Sequence, residues 1–563
     1  MMPLNKDLAT ALQLPVGSDD EAASTAIIAL LTSAAHDAKP KYSLSEIHHL
    51  ISKSGCSDLL DPLNSIPLLL SCDDPVAGEL LSLIGECCSA KEVVISVQEA
   101  VERLEVSLNA DDDGFEEVEQ EIPRQAASSP VVRLSILTGL YAASIPRLKL
   151  RKKTAPDTLR PLLTELETVN LMAGSTASTE EGRALISATA SLVKRAAQWV
   201  KGIPDAKEED ALGCTQLMKN LLDQTLTAYA HCIRSSVAQR TFEQCFPRLT
   251  VKTSVGAGWE EGEKVILEAL DAYTFLGCTF KELTSAPTTA TLVVVAYHQT
   301  GFPDSNNDLA PILPILISSI QINSALDECL SILLKFLHRI RASPVSPPPT
   351  LSPEIVTPLC TILPTIASAH PDPLVRHQAF RIISSLLTLT QPDLRIQLLA
   401  DLTGDSQLPQ MRVAAVGLVK EAIIESLSST KPNPFASPLF LRVFGPILFR
   451  PDPPDLFSGS KELSLSSFQE SSEPQRLIEC LALYYVLLQR DHQNLTGIRD
   501  KDVLSSVESS LLEPLRSILA KWMSHPSVSG SKPSTGTDSW ARLNAHLRSY
   551  ACYNAPGVSS DGS

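Results

Sequence analysis

Twelve cysteines, eleven histidines and one glycine-rich loop are the residues whose types suit them to chemistry in this 563-residue chain. The cysteines contain no C-x-x-C pair, the short spacing that a zinc site or a thiol–disulfide relay needs. Cys87 and Cys88 are adjacent, which disfavours an unstrained disulfide between them. In a reducing compartment thiols scattered in this way read as small apolar core residues, with peroxide sensing at one of them as the sharper alternative. The histidines form no metal-spaced set: His48 and His49 project to different parts of a helix surface, and His370 and His377 flank a helix opening as surface or cap residues. The loop Gly256–Gly262, GAGWEEG, is spaced G-x-G-x-x-x-G and puts Glu260 and Glu261 at the helix start where a phosphate would sit. Like charges reject that ligand, so the motif reads as an acid-capped helix start. No H-E-x-x-H, G-x-S-x-G or Walker loop occurs. The expectation is a protein without catalytic residues, metal or cofactor.

The elements around these residues are helical. The clearest sign is a repeated helix opening, PLVRHQAFRIISSLL from Pro373 and PQMRVAAVGLVKEAI from Pro409, in which Arg376 and Arg412 stand 36 residues apart. Val375, Ala379, Ile382, Ile383 and Leu386 fall on one helical face of the first copy; Met411, Ala415, Leu418, Val419 and Ala422 hold the same places in the second. Each copy opens with proline in the first turn, where the missing N–H costs nothing, and Asp372 is placed as the N-cap of the first. PDLRIQLLADL from Pro392 and PEIVTPLCTILPTIASA from Pro353 supply helices before each copy. Helix–turn–helix units of this length leave an apolar face that only a neighbouring unit covers, so the predicted fold is an all-α HEAT- or armadillo-like solenoid. An arginine at this repeat position is expected to pair with an aspartate in a neighbouring turn, with Asp372, Asp401 and Asp405 as candidates, a structural role preferred over partner binding.

Composition agrees with a folded, helix-rich chain: 44% hydrophobic, 20% charged, 5% aromatic, with 40 prolines expected mostly at helix starts and in loops. A net charge of −17 argues against a phosphate-binding surface and favours a basic partner segment. The N-terminus lacks a signal-peptide core, and the longest near-apolar run, from Leu309, is too short and proline-broken to span a bilayer. A cytoplasmic protein, with a nuclear pool as the second compartment, is expected.

Amphipathic patterns run along the chain, including Val97, Val101, Leu104 and Leu108, and Leu504, Leu511, Leu515, Ile518 and Trp522. TLVVVAY from Thr291 has strand propensity but no partner strand, so it reads as a buried helix. The expected organisation is N-terminal helical repeats over 1–108, an acidic loop over 109–123, a central helical region over 124–342 and a Pro-rich linker over 343–353. C-terminal HEAT-like repeats follow over 354–524, with a mobile Ser-rich insertion at 450–474, and then a mostly disordered tail over 525–563 with one short helix near Trp540 to Tyr550. The seven acidic residues between Asn109 and Glu121 read as solvated rather than as a docking site. Arg147, Lys149, Arg151, Lys152 and Lys153 have the look of an import signal, but they sit at a helix end where cations suit the macrodipole. Ser343, Ser346 and Ser352 precede prolines and would suit a proline-directed kinase.

HPDPLVRHQAFRIISSLLTLTQPDLRIQLLADL with PQMRVAAVGLVKEAI, and CDDPVAGELLSLIGECCSAKEVVISVQEAVERL from Cys72, resemble the glomulin and aberrant-root-formation family, whose fungal branch contains the Yap-binding proteins. The resemblance implies a non-enzymatic, HEAT-like adaptor whose partners are proteins, with neither nucleic acid nor membrane. Two roles are implied. One is oxidative-stress signalling through a Yap-type transcription factor; the other is inhibition of a cullin-RING ubiquitin ligase through its RING subunit. Neither fixes a partner-binding residue here.

Overall fold

The structure is a computed structural model that describes residues 20–37, 39–112, 128–204, 207–249, 256–298, 302–303, 305–343, 350–457 and 463–524. Helices and connecting turns account for all of it, with no strand among the described residues. The chain divides into two units, one of residues 1–303 with 311–332, the other of 304–310 with 333–563.

The first unit contains α1 (Asp20–His36), α2 (Leu44–Ser54), α3 (Pro62–Leu70), α4 (Pro75–Cys87), α5 (Ala90–Asp112), α6 (Pro130–Ser144), α7 (Ala155–Ala173) and α8 (Thr179–Lys201). It continues with α9 (Glu208–Ala228), α10 (Val237–Cys245), α11 (Trp259–Leu276), α12 (Thr289–Tyr297) and α13 (Leu313–Gln321). Their starts follow from local chemistry. Asp61, Asp74 and Ser129 each accept the N–H two residues on and are each followed by a proline at the first helical position. Ser43 with Glu46 and Ser178 with Glu181 form complete capping boxes. A cap of this kind contributes about 1 kcal/mol.

Packing then proceeds by second neighbours. Helices α1, α3, α5, α7, α9, α12 and α13 follow one another in one layer, and α2, α4, α6, α8 and α11 in the other. A helix between two neighbours in its layer and a third across the interface must be apolar on several sides. Thus α6 buries Val131, Leu134, Leu137, Leu140, Tyr141 and Ala142 together, and α12 buries every residue from Thr289 to Ala296. The β-branched run at 291–297 is accordingly a helix. This is the two-layer arrangement of an α-solenoid.

Helix α14 (Leu326–Ala342) carries the division between units within it, at 332/333, ahead of the proline-rich stretch 343–353. The second unit continues with α15 (Pro353–Ala369), α16 (Pro373–Thr388), α17 (Pro392–Gly404), α18 (Pro409–Ser428), α19 (Pro438–Leu448), α20 (Glu473–Arg490), α21 (Lys501–Val507) and α22 (Glu513–Ser524). Here α15 packs on α16, α17 and α18, α17 on α18 and α19, and α18 on α20.

Two segments differ from the sequence reading. Helix α5, anchored in the core by Val93, Val97, Val101 and Leu104, runs on to Asp112, so residues 109–112 are helical where the loop was expected to begin. The segment 450–474 is packed at both its described ends. Phe468 is buried on the short helix Leu465–Glu470, its ring 6.0 Å from that of Phe457 and 5.2 Å from that of Trp522. Serine-rich composition concealed these aromatic anchors. Residues 113–127, 344–349 and 525–563, and with them most of the acidic loop, two of the Ser-Pro serines' prolines and the tail, lie outside the described residues.

Candidate protein-interaction surface

The two repeat openings occupy equivalent helices but are held differently. Asp372 caps α16, its carboxylate accepting the Leu374 N–H at 2.8 Å, and Pro373 is the first helical residue. Helix α18 opens at Pro409 after Leu408, with no side-chain cap. Ala379, Ile382, Ile383 and Leu386 are buried on α16, with Val375 half-buried; Met411, Ala415, Leu418, Val419 and Ala422 are all buried on α18.

The repeat arginines do not use the expected aspartates. Arg376 donates to the carbonyls of His370 and Pro371, at 2.6 and 3.0 Å, and so fastens the turn before its own helix. Arg412 donates through Nε to the Thr403 carbonyl at 2.9 Å and pairs with Asp452, on the chain after α19. Arg412 thus does reach back to the end of α17, but to the Thr403 backbone between Asp401 and Asp405 rather than to either carboxylate.

Asp452 leads into a buried polar network that sequence reading missed. Its N–H donates to Glu473 Oε1 at 3.0 Å, and Glu473 receives two hydrogen bonds from Arg476, Nε to Oε2 at 2.7 Å and Nη2 to Oε1 at 2.5 Å. Arg476 also donates to the carbonyls of Ile447, in the last turn of α19, and Arg450, just beyond it, at 3.1 and 2.7 Å. Its side chain is 2% exposed and that of Glu473 8%. Burial works against the guanidinium's charge, but the hydrogen bonds to Glu473 together with the nearby Cys480, Glu473 and Asp452 charges outweigh it and hold the pKa above the ordinary value. The signal was present in EPQR, a charged i, i+3 pair opening an otherwise apolar helix.

Burial holds five of the thiols in their neutral form. Desolvation lifts Cys88 and Cys360 to about 12 and Cys214 and Cys480 to about 11, and pushes Cys329 well above the ordinary range. Cys88 Sγ donates to the carbonyls of Ser57 and Leu60, both at 3.2 Å. Its neighbour Cys87 is exposed. No three His, Cys, Asp or Glu side chains among the described residues are grouped to hold a metal, and no described helix is long and apolar enough to cross a membrane.

The glycine loop proves to be a packing device. Gly258 takes a left-handed conformation, φ 80°, ahead of α11, whose first turn holds Glu260 and Glu261. Gly262 lies against the Ile233 carbonyl, and Arg183 donates to that same oxygen at 2.7 Å from Nη2. Among the basic cluster, Arg147 donates to the carbonyls of Cys88 (2.6 Å) and Gly85, closing the C-terminal end of α4, where a cation also suits the helix dipole.

Exposed apolar side chains in the second unit are dispersed one to a helix or loop: Leu374, Ile424, Leu439, Tyr485 and Leu495. The first unit holds a cleft of about 690 Å³ between the chain after α6 and the end of α8, lined by Leu148, Leu150, Trp199 and Ile203 with Lys149 and Arg195.

Residues 312–538 match the model of a family described as an uncharacterised protein family, YAP/Alf4/glomulin. The match covers the second unit from α15 onward together with α13 and α14. No curated protein matches the chain.

Proposed function

We propose, from the match of residues 312–538 to the YAP/Alf4/glomulin family model, that the chain is a helical adaptor that binds other proteins rather than an enzyme. The observation that carries the reading is the placement of the family match on a stack of helices, fastened internally at Arg412, Glu473 and Arg476. The elongated surfaces of stacked helices suit extended partner segments. The finer role we assign is a cytoplasmic one with a nuclear pool, promoting oxidative-stress signalling to a Yap-type transcription factor. Peroxide survival of a deletion strain tests it, with nuclear entry of the factor as the second readout: loss of both supports the role, and normal values of both overturn it.

The family description also names glomulin, which favours a second reading, inhibition of a cullin-RING ubiquitin ligase through its RING subunit. Purified chain would then form a complex with a RING subunit and block ubiquitin transfer. Absence of binding at micromolar concentration disposes of that alternative.

A further inference from the structure

The cleft in the first unit has a chemical character opposite to that of the chain around it. Its floor is apolar: Leu148, Leu150, Trp199 and Ile203 pack their inner faces on the core and leave the rest uncovered, and Pro146 and Pro204 close its ends. The indole of Trp199 is held in place, its Nε1–H donating to the Leu148 carbonyl at 3.2 Å. Cations line or border it. Lys149 and Arg195 are exposed and form part of the wall, and Arg151, Lys152 and Lys153 are exposed on the same connecting segment. Among the described residues no carboxylate lines the cleft. Among the described residues, ion pairs tie down arginines and lysines elsewhere, as at Lys194–Asp271 and Arg240–Glu263, but none involves these five.

In a chain of net charge −17, five cations without ion pairs gathered beside an apolar floor repel one another, and an anionic partner relieves that repulsion. The volume lies within the range that seats a few side chains. We propose that this cleft is a docking site for a linear acidic segment of a partner protein, one in which carboxylates alternate with large apolar residues. The apolar side chains would seat against Trp199, Leu150 and Ile203, and the carboxylates would meet Lys149, Arg195 and the cations at 151–153. This proposal rests on the adaptor reading above and specifies one of its sites, in the unit outside most of the family match. Nucleic acid would use the cations but leave the aliphatic floor idle, so the peptide is the better fit.

The test uses the full chain and fluorescein-labelled 12-residue peptides, one alternating Glu and Asp with Leu and Phe, one with Lys replacing the acids, and a single-stranded 12-mer oligonucleotide. The acidic peptide is expected to bind saturably, and more weakly as salt rises. The double variant Lys149→Glu/Arg195→Glu, on two exposed side chains, is expected to lose at least tenfold in affinity with an unchanged thermal melt; Lys264→Glu on α11 is the control and should bind as the parent does. Absent binding, equal binding by the double variant, equal binding of the basic peptide, or tighter binding of the oligonucleotide each overturns the site. The adaptor reading fails separately: partners identified with the parent chain that are also recovered by the double variant leave it standing, whereas no specific partner for the parent ends it.

Discussion

Gly262 lies so close to the carbonyl of Ile233 that a β-carbon built on it would stand 2.0 Å from the oxygen. The obstacle is backbone, further fixed by the Arg183 hydrogen bonds, so it has no side chain to swing aside. Gly262→Ala should therefore force α11 away from the backbone at Ile233 and destabilise the first unit by about 2 kcal/mol or more, beyond the usual range for a surface change. Chemical denaturation followed by circular dichroism measures this; an unchanged midpoint would show that the approach is not needed.

The buried pair Glu473–Arg476 makes an asymmetric prediction. Removing one partner leaves the other charged and dry, so Arg476→Ala should cost roughly 3–5 kcal/mol. Replacing both, as Glu473→Leu/Arg476→Met, should cost less than the sum of the single changes. A double-mutant cycle on denaturation midpoints checks the coupling.

A pH dependence follows from Glu328, which is buried at the start of α14 beside Asp327, Cys329 and Tyr297. Burial, reinforced by the Asp327 charge, lifts its carboxyl from 4.5 to about 8. The folded chain thus keeps a proton that the unfolded chain releases at 4.5. Its contribution to stability is greatest below 4.5 and declines as pH rises toward 8, by roughly 1.4 kcal/mol per pH unit. Glu328→Gln should flatten the decline and leave the protein more stable than the parent at the alkaline end. Urea titrations at several pH values across that window measure both slopes; parallel slopes would remove Glu328 as the cause.

Thiol accessibility should divide sharply at one dipeptide. Cys87 is exposed and Cys88 is buried with its pKa near 12, so a thiol reagent should modify Cys87 in the native protein and spare Cys88, Cys214, Cys329, Cys360 and Cys480 until denaturant is added. Peptide mapping after brief labelling reads this directly. Native labelling of Cys88 at the rate of Cys87 would contradict the packing around Ser57 and Leu60.

What the sequence disclosed was set by how local the determining interaction is. Asp372 before Pro373 is a cap because the bond is made two residues away, and the apolar face from Ala379 to Leu386 follows from helical geometry alone. The partner of Arg412 was not legible, because Asp452 is brought to it by α19 and the chain that follows. The segment from 450 to 474 was misread for the same reason: the ring that holds Phe468 is Trp522, more than fifty residues on. The cleft beside Trp199 was hidden too, since the basic run at 147–153 looks alike whether its leucines face solvent or a neighbouring helix. Only the packing of Leu148 and Leu150 against the core separates Arg147, which fastens α4, from Lys149, which borders the cleft.

The second-neighbour order of α1 to α13 has a consequence for how the chain acquires its shape. Most helices of this unit meet a first partner in the next helix but one, so burial can begin before distant parts of the chain are made, and topologies rich in such contacts fold quickly. The first unit can assemble progressively from its N-terminal end during synthesis, each new helix arriving at a surface already made. A premature stop after one of the later helices, from α8 to α12, would then leave a folded stump with one uncovered apolar end, prone to self-association rather than to wholesale unfolding.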